Sequence, residues 1–182
     1  MSAIALRDSP RVHVLLSKMR ALGCSAASAP VECEDVFDGA PVLGGYDSAR
    51  GRVVMNPRAP ASALVQGEVT RAIAHEFVHA YDFCRAEVEP SNCAHIACTE
   101  VRAANLSGDC DFTVEARRMP VRLASGGVAG RQQACVRRRA ELSVAMHAAC
   151  GAGADGAADA AARAVAAVWA PCYADTAPFS SN

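Results

Sequence analysis

Residues 67–85 read GEVTRAIAHEFVHAYDFCR, and the order of residue types in this stretch decides how the chain is read. Val69, Ala72, Ile73, Phe77, Val78 and Ala80 supply an apolar body with no proline or interior glycine, which predicts a buried helix over Glu68 to Arg85. Residues four apart share a helix face, so His75 and His79 present two imidazoles one turn apart, with the Glu76 carboxylate beside them. Such a set suits a tetrahedral zinc ion with its own general base, because both rings reach one ion while the carboxylate takes a proton from bound water. The alternative is a pair of histidines packed in a core.

Working outward, Glu100 follows His79 by 21 positions, inside NCAHIACTEVRAANLSG, residues 92–108. That segment also reads as a helix: Asn92 caps it, Ile96, Ala97, Val101, Ala104 and Leu106 form most of an apolar stripe, and Gly108 suits a left-handed stop. A catalytic zinc keeps three protein ligands and one water, which makes Glu100 the candidate third ligand; solvation or pairing with Arg102 is its plainer reading. Asp82, three residues past His79, is a rival ligand or an acceptor that fixes an imidazole tautomer. His95 lies about 140° around its helix from Glu100 at 100° per residue. It is read as an oxyanion donor, an alternative ligand or a helix-end histidine.

The strings RAIAHEFVHAYDFCRAEV and NCAHIACTEVRAANLSGDC resemble the zinc metalloprotease family of the mitochondrial inner membrane that matures subunit 6 (subunit a) of the ATP synthase. The likeness continues through Gly44-Gly45-Tyr46-Asp47 and Cys135-Val136-Arg137-Arg138-Arg139-Ala140 to Cys172-Tyr173-Ala174-Asp175-Thr176-Ala177-Pro178-Phe179, covering Cys24 to Phe179. The resemblance implies a peripheral protease on the intermembrane-space face. In some members it also implies a role in assembling the membrane sector of the synthase. Its partners would be the subunit 6 precursor and the inner membrane surface, and its cofactor one Zn2+ per chain. Carried over by residue, His75 and His79 match the zinc ligands and Glu76 the catalytic glutamate, while Glu100 sits in the Thr99-Glu100-Val101-Arg102-Ala103-Ala104-Asn105 motif. Two other classes stay open: a non-proteolytic assembly factor that keeps the zinc motif, and a disulfide-stapled structural module.

Composition bounds the rest. With 182 residues and 52% hydrophobic content, the chain suits a single domain, 1–182, with its core over about 9–179. A net charge of -1 excludes a strongly basic nucleic-acid footprint, although Arg117, Arg118, Arg122, Arg131, Arg137, Arg138 and Arg139 form a local basic region. That region reads as an exposed helix face or as a foothold on anionic lipid. No stretch reads as a bilayer span, since the Ala-rich run Ala157 to Ala170 carries Asp159 and Arg163. Met1 to Leu16 has neither a continuous apolar signal core nor, with Asp8 and Pro10, a matrix-presequence pattern.

Nine cysteines without a Cys-x-x-Cys pair read as disulfides of an oxidising compartment, each contributing roughly 2 to 4 kcal/mol, with an odd thiol left over. Because Cys84 ends one ligand-bearing helix while Cys93 and Cys98 begin the next, a Cys84–Cys98 bridge is the expected tie.

The expected fold is α+β and zincin-like: a small antiparallel sheet packed on a metal-binding helix pair, plus a C-terminal helical hairpin. Ser9 and Pro10 start a first helix with apolar Val14, Leu15, Met19 and Leu22, ending at Gly23. Val42 to Tyr46 and Arg52 to Met55 form a hairpin around 47–51. By analogy with zincins, the edge of Val53, Val54 and Met55 would bind substrate as an added strand. Later helices are expected over Gly130 to about Ala149 and Ala157 to Trp169.

Overall fold

The computed structural model describes residues 8–24, 31–37, 42–60, 65–118 and 127–179. The chain is α+β, mostly helical, and divides into two compact units, Met1–Glu87 with Pro178–Asn182, and Val88–Ala177.

The first unit contains α1 (Pro10–Ala21), β1 (Glu32–Cys33), β2 (Gly44–Asp47), β3 (Arg52–Met55) and α2 (Gln66–Arg85). Ser9 caps α1 by accepting from the Val12 N–H at 3.4 Å, and Pro10 occupies the first turn, where its missing N–H costs nothing. The face that α1 packs on α2 is Val12, Leu15 and Met19, while Leu22, expected inside, is 55% exposed just past the helix end. From α2, Val69, Ile73, Phe77, Val78 and Ala80 enter the same core.

The hairpin forms as expected, with β2 antiparallel to β3 and Asp47 Oδ1 accepting from the Ala49 and Arg50 N–H groups at 3.1 Å each. The sheet is mixed, however, not antiparallel: β1 pairs in parallel on the other side of β3, giving the order β1-β3-β2. A two-residue strand carries no readable alternation, and its placement is a long-range matter: the Arg52 guanidinium reaches from β3 to Glu32 and, at 2.9 Å, to Glu34. This removes the substrate edge expected at Val53, Val54 and Met55, because β3 is the middle strand and these residues are 3–6% exposed.

The second unit contains α3 (Cys93–Leu106), α4 (Phe112–Arg118), α5 (Gly127–Ala145), a 3-10 turn (Ala148–Cys150) and α6 (Ala157–Ala174). Asn92 Oδ1 accepts from the Ala94 N–H at 3.0 Å and caps α3. Helices α3, α5 and α6 pack on one another around Ile96, Val101, Val136, Val144 and Val165. Helix α6 runs past the expected stop at Trp169 and through Pro171, because its last turn is held to α3 by Cys98–Cys172 and by the Asn105 amide on the Tyr173 carbonyl. The short α4 has too few residues to show a helical period and was not expected.

Four disulfides use eight cysteines: Cys24–Cys84 in the first unit, and Cys93–Cys150, Cys98–Cys172 and Cys110–Cys135 in the second. The expected Cys84–Cys98 bridge is therefore not made, and exposed Cys33 is the odd thiol. With separations of 25 to 74 residues, loop-closure entropy gives each bridge about 3.5–4.5 kcal/mol.

Candidate metal centre

Helix α2 starts without a side-chain cap, and Glu68 in its first turn complements the positive end of its dipole. Once packed on α1 and the sheet, the helix cannot rotate without exposing Ile73 and Phe77, which are 0% and 1% exposed. That packing fixes the face carrying the two histidines. The rings of His75 and His79 meet edge to face, their centroids 4.8 Å apart. His75 is half-buried, and Glu76 and His79 are both buried. A carboxylate and an imidazole out of bulk water need polar or charged partners, and both take part in further polar or ring contacts.

Asp82 is buried one turn further on, where its Oδ1 accepts from Arg85 Nε at 3.0 Å. Arg85 also lies over the Tyr81 ring, 5.4 Å from its centroid. On the sheet side, Tyr46 of β2 tilts against Phe83 with centroids 5.4 Å apart. Burial, and then the neighbouring Asp47 carboxylate, push the Tyr46 hydroxyl above its usual value near 10.

Glu100 and His95 belong to the second unit. Glu100 is half-buried on α3. The motif around it divides its labour: Val101 and Ala104 enter the core, while Arg102, about 200° around the helix from Glu100, is 1% exposed and bonds to Asp175. Asn105 donates to the Tyr173 carbonyl at 3.2 Å and accepts from Gln132 at 2.6 Å, and the Tyr173 hydroxyl donates to Gln132. Sequence reasoning missed this polar clamp. Its signal was an arginine and an asparagine in the apolar second half of α3, among Val101, Ala103, Ala104 and Leu106. His95 is exposed, and its Nδ1 accepts from the Glu89 N–H at 3.1 Å, so the ring closes the turn before α3.

The basic region is largely engaged. Arg138 bonds Glu115 at 3.2 Å, Arg139 pairs with Asp109 at 2.5 Å, and Arg137 and Arg131 lie over Trp169 and Phe112. Arg122 lies outside the described residues.

The sequence pattern of the Peptidase M76 family matches residues 1–180. Three relatives carry the name mitochondrial inner membrane protease ATP23 homolog. That of Xenopus laevis is 40% identical over 146 residues, covering 79% of this chain and 58% of its own length. That of Danio rerio is 37% identical over 182 residues, covering 98% and 65%, and the human one is 38% identical over 141 residues, covering 76% and 53%. The chain thus spans between about half and two thirds of the length of these relatives. No solved structure matches.

Proposed function

The chain belongs to the Peptidase M76 family, and from that membership we propose that it is a zinc-dependent endopeptidase of the mitochondrial inner membrane whose chemistry is built on α2. One observation carries the reading: two imidazoles meet at 4.8 Å on a packed helix, and a buried glutamate follows the first of them in sequence. Nitrogen donors one helical turn apart, with carboxylates at hand, are the donor chemistry zinc takes.

His75 and His79 would hold the ion, with Glu100 as the third protein ligand and Asp82 as the acceptor that steadies the histidine face. When bound, zinc acidifies a water molecule and polarises the scissile carbonyl. Glu76 accepts the proton of the attacking water, and once the oxygen has added to the peptide carbon it passes a proton to the amine as the C–N bond breaks. Burial of Glu76 keeps that proton from bulk water. His95, whose Nδ1 accepts from the Glu89 N–H, keeps Nε2 as the nitrogen that would donate to a developing oxyanion.

The two units act as one metalloprotease domain of zincin type. The substrate is the N-terminal segment of the ATP synthase subunit 6 precursor, by the resemblance of RAIAHEFVHAYDFCRAEV to the family that matures that subunit. Residence at the inner membrane is supported by the relatives' names, and its intermembrane-space side by four disulfides, which suit an oxidising compartment. Attachment to the membrane surface is part of the same proposal, and none of the described helices is long and apolar enough to cross a membrane.

The test is oxidised protein assayed for zinc and for cleavage of a peptide spanning that N-terminal segment. Glu76→Gln should keep the zinc of the parent protein while kcat falls at least ~10²-fold, the scale of general-base loss. Undiminished turnover in that variant overturns the mechanism. Zinc binding without cleavage in the parent protein would favour a non-proteolytic assembly role.

A further inference from the structure

The four disulfides differ in how a thiol would reach them. In Cys110–Cys135 both residues are buried, and Cys150 and Cys172 bury one end of the other two bridges in the second unit. Cys24 and Cys84 are both only half-buried, so neither end of this bridge is closed off. They also form part of the wall of a cavity of about 410 Å³ in the first unit, with Tyr46, Arg50 and Phe83. That volume lies in the range that admits a small-molecule ligand. Exchange requires a thiolate to approach a disulfide sulfur, so access decides which bridge reacts.

We propose that Cys24–Cys84 is a site of thiol–disulfide exchange with a low-molecular-weight thiol of tripeptide size, and that it opens before the other three bridges. The thiolate attacks one of the two sulfurs, forming a mixed disulfide while the other cysteine leaves as a thiolate. A second thiol resolves the mixed disulfide. Two cysteine thiols and one oxidised thiol dimer result, and the bridge takes up the two electrons.

The placement makes the exchange consequential. Cys84 lies in the last turn of α2, five residues after His79, and Cys24 follows α1. The buried α1 and α2 residues Leu15, Met19, Ile73 and Phe77 do not depend on the bridge, so its opening frays the end of α2 and leaves the core packed. A frayed last turn loosens Asp82 and then His79, which makes zinc affinity sensitive to thiol. This last consequence rests on the peptidase reading; the order of opening does not.

The experiment uses the full oxidised chain carrying Cys33→Ser, which removes the exposed free thiol as an alternative site. A graded series of reduced glutathione is followed by alkylation and peptide mapping, with zinc content measured on the same samples. Cys24 and Cys84 should become modified at a glutathione concentration at least tenfold below that needed for any of the other six. Zinc retention should fall in step with them. Opening of another bridge first, or of all four together, overturns the proposal whatever the zinc result. If the order holds while zinc is unaffected, the link to α2 is overturned and the exchange site stands. The double variant Cys24→Ser/Cys84→Ser, which lacks the bridge, should start with lowered zinc retention and show no further fall at low glutathione; retention equal to that of the oxidised parent sinks the link by a second route.

Discussion

Arg102 is buried on α3 to 1% exposure, and its guanidinium lies 2.8 Å from the carboxylate of Asp175, 73 residues later, while also donating to the carbonyls of Asp175 and Ala177. One charged side chain thus fastens the end of α6 and the residues beyond it to the helix that carries Glu100. Arg102→Ala removes a large buried side chain and strips the Asp175 and Ala177 carbonyls of their donor, so it should cost about 2–5 kcal/mol. Asp175 is one third exposed and Arg102 keeps its two carbonyls, so Asp175→Asn should cost less. Urea denaturation of the oxidised proteins measures both; equal losses would show that the carbonyl contacts contribute nothing.

Glu100→Ala should lower zinc affinity more than Asp82→Ala, because losing a ligand costs more than losing an orienting hydrogen bond. Asp82→Ala should instead lower stability by roughly 1–3 kcal/mol, since it strips a buried acceptor from Arg85. Competition with a zinc-responsive dye, paired with thermal melts, separates the effects. The reverse order of affinities would make Asp82 the ligand.

Gly44 and Gly45 are adjacent in β2 and should respond differently to alanine. A Cβ on Gly44 would sit 2.6 Å from the Val54 carbonyl oxygen and 2.8 Å from Met55 Sδ, whereas on Gly45 its nearest neighbour is Phe37 at 3.4 Å. Gly44→Ala should therefore cost about 1–3 kcal/mol by overpacking, with Gly45→Ala close to neutral. Denaturation midpoints decide it, and a neutral Gly44→Ala would mean that the sheet gives way cheaply.

Tyr46 sets a high-pH limit. Its hydroxyl is raised above the ordinary value near 10, first by burial and then by Asp47, so above that value the unfolded chain has lost a proton that the folded chain retains. The stability this contributes is fully present below about pH 10 and is lost as pH rises through the folded value. Tyr46→Phe should flatten the decline in urea stability above pH 10, leaving a smaller one from Tyr173, whose hydroxyl burial also raises. Tyrosinate absorbance follows the same titrations; an identical decline in the variant would place the effect elsewhere.

What the sequence determined by itself is local. The pentapeptide from His75 to His79 lies on the predicted helix because apolar spacing, a continuous run without breakers and helical pitch all act within a few residues. The caps Ser9 and Asn92 and the turn at Asp47 were legible for the same reason, each being a side chain bonded to its own neighbourhood. Tertiary structure decided the rest. Which cysteines pair depends on distances between residues 25 to 74 apart in the chain, and spacing alone led to the wrong partner for Cys84. The parallel seat of β1, which makes β3 a central strand, follows from hydrogen bonds and Arg52 ion pairs made across the sheet. Pro171 stays inside α6 because contacts with α3 outweigh a local stop signal, and Arg102 becomes a clamp only once the chain has brought Asp175 back to it. Contacts made at long sequence separation leave no period in the sequence; they exist only after the chain has folded.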